Sequence, residues 1–186
     1  AATNAAVASP RRRILLLQGP VGPFFSELEA AAEHSGYSVV RFSFNPADRL
    51  YRGKRSFPYK GSIEDWQRDF PDILAEGKFD AVVAFGSSRP GHIVAREVCA
   101  DRKIPFLSLE EGYIRPGFIT AEWGGNNADS PLAGQIPSKA MPGPDAKSRA
   151  FRGAGAMARQ GALYYTVRSL LSSKNEKSFL SILLFK

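Results

Sequence analysis

Ile14-Leu-Leu-Leu-Gln-Gly-Pro-Val-Gly-Pro-Phe-Phe25 decides the fold. Its aliphatic run has no polar side, as expected of a short strand buried on both faces of a parallel sheet. Residues 18–23 then break the run with Gly and Pro, and Phe24, Phe25, Leu28, Ala31 and Ala32 recur at helical spacing. Pro23 suits a helix start and Gly36, after Ser35, a helix stop. The stretch reads as strand, turn, helix.

The same unit repeats along the chain. Residues 38–44 form a second strand through Val39, Val40, Phe42 and Phe44, broken by Asn45-Pro46. Ser62, with Asp65 three residues on, caps a helix bearing Ile63, Trp66, Phe70, Ile73 and Leu74, with a kink or restart expected near Pro71. Residues 81–85 are a third strand, 93–102 a helix, 106–109 a fourth strand and 118–122 a candidate fifth; Trp123 to Asn127 reads as a flexible turn. Alternating strands and helices of this kind call for an α/β, Rossmann-like domain: a parallel sheet with helices on both faces, joined by right-handed crossovers. Turns leaving the carboxyl ends of such strands share one edge, where ligands bind. Residues 18–23, 45–48, 86–92 and 110–116 are expected to converge there.

At 186 residues the chain holds one core. Residues 1–13 read as a loose leader, 14–129 as the lobe, 130–148 as a Pro/Gly-rich linker, and 149–186 as a helix with an apolar tail. A net charge of +7 favours anionic partners without choosing among nucleic acid, phospholipid and nucleotide. Cys99 has no cysteine to pair with and lies in a helical run, which fits a small buried thiol in a reducing compartment. The basic Arg11-Arg-Arg13 precedes an apolar stretch that ends at Gln18, too short for a secretory signal or a membrane span, so a cytoplasmic location is expected.

Ser108-Leu-Glu-Glu-Gly-Tyr-Ile-Arg-Pro116 places Glu110 and Glu111 at the exit of a strand, before Gly112 and Arg115. Burying two carboxylates in a core costs several kcal/mol each, so this segment presents charge. An ordinary solvated strand exit, with either acid paired to Arg115, is the structural alternative. Gly19-Pro20-Val21-Gly22 sits where a phosphate-binding loop would lie but matches neither the dinucleotide fingerprint nor a Walker A loop; a tight turn explains it equally. Arg89 can grip an anion and His92 can move a proton near neutral pH, against the simpler reading of a surface histidine capping a helix. His34, just before a helix stop, reads as inert. The loop from Arg49 to Lys60 interleaves Arg49, Arg52, Lys54, Arg55 and Lys60 with aromatic rings and contains no acid. It suits a phospholipid surface or single-stranded nucleic acid, or is a plain solvated loop. Neither a Cys/His metal set nor a nucleophile elbow is present, so no metal or cofactor is expected.

Residues 17–25, 44–48, 61–66, 85–92 and 110–116, with Ile119, Thr120 and Glu122, together resemble the KpsS/LipB group of capsular polysaccharide synthesis and export proteins. The resemblance covers residues 14–130. It implies the amino-terminal Rossmann-like lobe of a GT-B glycosyltransferase moving 3-deoxy-D-manno-octulosonic acid (Kdo) from CMP-Kdo to a phosphatidylglycerol-type lipid. Residues 149–186 would then be a truncated start of the second, donor-binding lobe, which the chain is expected to lack. The acid-acid-Gly-aromatic-aliphatic-Arg motif implies Glu111 as the catalytic carboxylate, Glu110 as second candidate, with His92 beside them. Gln18, Gly19, Pro20, Gly22, Asn45, Asp48, Arg89, Gly112 and Arg115 are the implied substrate contacts, Arg89 and Arg115 facing the Kdo carboxylate or the CMP phosphate. The group has Gly-Asp-Cys-Arg-Pro-Tyr-His where this chain has Gly86-Ser-Ser-Arg-Pro-Gly-His92, a departure at Ser87, Ser88 and Gly91. Implied partners are CMP-Kdo, an anionic lipid acceptor, the inner-membrane surface and the capsule export machinery, with the protein cytoplasmic and peripheral to that membrane and nucleic acid not among them. A non-catalytic basic module binding an anionic membrane surface or RNA is the alternative.

Overall fold

The computed structural model describes residues 12–112, 118–135 and 154–171. Expectations for the leader, for most of the linker, for residues 172–186 and for Arg115 lie outside the described residues.

Among the described residues β1 (Arg13–Leu17), β2 (Ser38–Ser43), β3 (Ser56–Pro58), β4 (Ala81–Phe85), β5 (Phe106–Glu111) and β6 (Ile119–Trp123) form one six-stranded sheet, in the order β3-β2-β1-β4-β5-β6. β1 (Arg13–Leu17) lies at its centre between β2 (Ser38–Ser43) and β4 (Ala81–Phe85), parallel to both. Leu15, Leu16 and Leu17 are all buried, which explains why this strand shows no alternation. β5 (Phe106–Glu111) continues the parallel set beside β4. Helix α1 (Phe24–His34) covers one face, where Phe25 packs with Leu16, Val39, Val83, Phe85 and Leu109. Helices α2 (Ile63–Gly77) and α3 (Pro90–Asp101) cover the other.

Trp66 is the centre of that second layer. Fully buried, it stacks on Phe70 at 4.6 Å and meets Phe44 and Tyr59 edge-on at 4.8 Å. Its indole N–H donates to the Gly91 carbonyl at 2.9 Å, so α2 holds the first turn of α3 in place. Cys99 is buried in the same layer, and burial pushes its thiol up to about 12.

Four local expectations change. The sheet is not wholly parallel: β6 (Ile119–Trp123) runs antiparallel to β5, with Glu110 opposite Thr120 and Glu111 opposite Ile119. Gly112 lets this hairpin close, since its N–H donates to the Phe118 carbonyl at 2.8 Å and a Cβ there would lie 2.9 Å from that same oxygen. The stretch read as a loop from Arg49 to Lys60 holds the end of a short 3-10 helix (Pro46–Tyr51) and the edge strand β3 (Ser56–Pro58), which pairs in parallel with β2. The helix at Pro71 runs as one element, started by the reciprocal Ser62 and Asp65 capping box. The expected flexible turn after Trp123 is tied down, for Asn126 is fully buried.

Helix α4 (Ala154–Leu171) lies against the 3-10 helix that follows β2. Tyr164 is buried while Leu163 and Tyr165 beside it are exposed. Among the described residues no helix is long and apolar enough to cross a membrane.

Candidate functional site at the carboxyl edge

The strand order reverses between β1 and β4, because the chain leaves β1 toward β2 and β3 and leaves β4 toward β5 and β6. In open α/β sheets a crevice forms outside the carboxyl ends at such a point. The turns after Leu17 and Phe85 flank it.

The first turn is backbone-strained and tightly packed. Gln18, with φ +22°, is buried and donates its N–H to the Phe42 carbonyl at 3.1 Å. Gly19 faces Phe25 so closely that a Cβ would sit 2.6 Å from the ring. Pro20 is half-buried and Gly22, at φ +116°, lies beside Gln160 of α4. Glycine is needed here for packing and for backbone shape.

Beyond β2, Asn45 and Asp48 turn inward. Asn45 caps the 3-10 helix through Ala47, and one Asp48 oxygen accepts from the N–H groups of Phe44 and Asn45 at 3.2 and 3.4 Å. The other accepts from the Tyr164 hydroxyl at 2.7 Å, and Tyr164 in turn accepts from the Asn45 amide at 2.6 Å. Burial is the largest influence on Asp48 and raises its pKa, opposed by the Tyr164 bond, by Arg41 and by the backbone donors. Both residues, expected as substrate contacts, hold α4 against the lobe through Tyr164. Arg41 lies nearby, buried, donating to the Tyr51 carbonyl at 2.6 Å with its guanidinium over the Phe25 ring.

After β4, Gly86 takes φ +82° and its N–H donates to the Leu109 carbonyl at 2.7 Å. His92, in the first turn of α3, donates from Nδ1 to the Gly86 carbonyl at 2.8 Å, which makes Nε2 the acceptor nitrogen. Its ring is buried, and desolvation followed by the Arg89 charge pushes its pKa down to about 3. His92 is therefore a neutral pin between α3 and the turn, and it does not titrate near neutral pH as the sequence suggests. Arg89, half-buried, precedes Pro90 at the start of α3.

Glu110 and Glu111 leave the sheet at the end of β5, as the sequence suggests, although as its last paired residues. Glu110 is half-buried and Glu111 exposed. A Cβ on Gly86 would lie 3.6 Å from a Glu110 carboxylate oxygen, so this acid sits directly over the turn after β4. The edge thus brings together Gly86, Arg89, Glu110, Glu111 and Gly112.

The basic residues lie at the other end of the sheet, on and around β3. Arg49, Arg52, Lys54, Arg55 and Lys60 are all exposed, as are Leu50 and Phe57. Lys54 and Arg55 pair with Glu33 at 3.3 and 3.4 Å, which leaves less of their charge for a partner than the sequence implies. Among the described residues no cluster of acids, histidines and cysteines is arranged to hold a metal.

Sequence reasoning passed over a second polar knot. Ser87 is fully buried; its N–H donates to the Asn126 side-chain oxygen at 3.2 Å, and its hydroxyl lies 2.8 Å from that oxygen and 3.1 Å from Asp129. Asp129 also pairs with Arg96 of α3 at 2.7 Å, and that pairing holds its carboxyl below the usual range. Asn-Asn-Ala-Asp after two glycines looks like a solvated turn; only the run of small polar residues facing a strand exit hinted otherwise.

Comparison with known proteins places this edge in context. Residues 80–174 match the family "Capsule polysaccharide biosynthesis protein", a span that takes in the turn after β4, the glutamate pair and the polar knot. Over 122 residues, 65% of this chain, the sequence is 40% identical to the capsule polysaccharide export protein KpsS of Escherichia coli. The capsule polysaccharide modification protein LipB of Neisseria meningitidis serogroup A is 35% identical over 122 residues. These matches cover 31% of KpsS and 29% of LipB, so the chain accounts for about a third of the length of these relatives. With half of its length inside the family pattern and the likeness to KpsS over the amino-terminal lobe, the chain belongs to the capsule polysaccharide biosynthesis family.

Proposed function

We propose that this chain is the amino-terminal lobe of a GT-B glycosyltransferase that moves Kdo from CMP-Kdo to a phosphatidylglycerol-type lipid in capsule biosynthesis. The observation that carries the reading is the position of Glu110 and Glu111 at the carboxyl end of β5, with Glu110 over the turn that follows β4. Sugar transfer passes through a cationic, oxocarbenium-like centre, which a carboxylate stabilises directly or helps by accepting the proton of the attacking hydroxyl. Glu111, the more exposed acid, takes the proton of the acceptor. Glu110, the preceding residue of β5, supplies negative charge over the turn after β4. Arg89 at the start of α3 balances the Kdo carboxylate or the leaving phosphate. His92 keeps the α3 start and the Gly86 turn in register.

The exposed Arg49, Arg52 and Lys60, with Leu50 and Phe57 among them, support an anionic membrane surface as the place where the lipid acceptor is met. In this reading the protein works on the cytoplasmic side of the inner membrane, next to the export machinery that takes the product.

The test uses the full-length protein with CMP-Kdo and a short-chain phosphatidylglycerol, following CMP release. Glu111→Gln should lower turnover by about 100-fold or more while the far-UV spectrum is unchanged. Undiminished turnover in that variant would overturn the assigned role.

A further inference from the structure

We propose that Asn127 is a positioning residue for the Glu110 carboxylate, set in place by a knot in which the buried Ser87 and Asn126 are joined to Asp129 and Arg96. The proposal rests on the reading of Glu110 and Glu111 as the carboxylate pair of a sugar transferase.

The argument begins with Asn126. Its side-chain oxygen takes the Ser87 N–H, its amide donates to the Leu109 carbonyl at 3.3 Å, and its own N–H points at the Ser87 hydroxyl at 3.4 Å. A fully buried amide with its donor and acceptor both engaged has one orientation. The segment is fixed from the far side as well, because Asp129 bridges Ser87 and Arg96. Gly125 allows the fold-back: a Cβ there would come within 2.7 Å of the Asp129 backbone oxygen.

Pinned on both sides, Asn127 takes φ +55°, a left-handed conformation that asparagine tolerates better than most residues. Its amide then points at a Glu110 oxygen, 3.5 Å away. Among the described residues the other hydrogen bond to the Glu110 carboxylate is a long one, from the Glu111 N–H at 3.4 Å. An amide donor next to a half-buried carboxylate narrows its rotamers, and a carboxylate that must meet a reacting centre needs its direction set. The knot therefore wires the loop after β6 to the turn after β4 and directs Glu110 over that turn.

The test compares the wild type with Asn127→Gly, which keeps the left-handed backbone without the amide, and with Asn127→Asp, which keeps the shape without the donor. The first readout is the Glu110 side chain in crystal structures of all three. Expected is one rotamer over Gly86 in the wild type and a dispersed or turned-away carboxylate in both variants. The second is turnover of the full-length protein, expected to fall about 10-fold or more in both variants, with the KM for CMP-Kdo within about twofold and the melting temperature unchanged. An unchanged Glu110 rotamer in both variants, or wild-type turnover in Asn127→Asp, would overturn the proposal. A wild type that releases no CMP while Glu110 still disperses in the variants would remove the transferase reading and leave the positioning role standing.

Discussion

Tyr164→Phe tests how α4 is held to the lobe. The substitution removes one oxygen and little else, because the ring stays the same size in a site where Tyr164 is only 6% exposed. It strips Asp48 of a 2.7 Å donor and Asn45 of a 2.6 Å acceptor. A hydrogen bond to a charged group contributes about 1.5–3 kcal/mol and a neutral one about 1 kcal/mol, so a loss of about 2.5–4 kcal/mol is expected where Asp48 is ionised. The cost also depends on pH with a definite sign. Burial raises the Asp48 pKa above its unfolded value, so Asp48 favours folding fully below that value and loses this contribution as pH rises through its folded pKa. Tyr164 opposes that loss by donating to the ionised form. The penalty of Tyr164→Phe should therefore grow as pH rises and level off once Asp48 is ionised. Urea denaturation of wild type, Tyr164→Phe, Asp48→Asn and the double variant measures the coupling, expected at about 1.5–3 kcal/mol. Hydrogen exchange along α4 should rise in Tyr164→Phe before exchange in β1 does. A coupling below about 0.5 kcal/mol, or a penalty flat with pH, would refute the reasoning.

Two further outcomes follow from buried contacts. His92 is pushed down to about 3 from a reference of 6.5, so the unfolded chain takes up its proton first and stability falls as pH drops between those values. The slope attributable to His92 is at most about 1.4 kcal/mol per pH unit, and His92→Gln should flatten it in denaturation curves between pH 6.5 and 5. Equal slopes would mean that the ring is solvated. Gly19→Ala places a Cβ 2.6 Å from the fully buried Phe25 ring and should cost about 1–3 kcal/mol. An unchanged melting temperature would show that the turn yields without cost.

Much of this was written locally. The aliphatic run at 14–17, the helical spacing from Phe24 onward, the Ser62 cap and the exit at Glu110 each follow from a few adjacent residues, and the alternation of elements is enough to give the α/β layering. Strand direction was not available locally. Residues 119–123 have the same period whether they run parallel or antiparallel, and the tight closure of Gly112 on Phe118 decides for a hairpin. β3 escaped notice because three residues show no period, and its strand character comes from pairing with β2.

Polar residues mark the boundary most clearly. By itself the sequence determined where charge emerges from the sheet, because two acids and a glycine at a strand end cannot be core. Only the tertiary structure decided which polar groups turn inward: Asp48 onto Tyr164 across 116 residues, Ser87 onto Asn126 across 39, and His92 onto Gly86 with its charge suppressed. The reason is physical. Period and turn chemistry act within a few residues, whereas the cost of burying a polar group depends on which partner, distant in the chain, arrives to satisfy it.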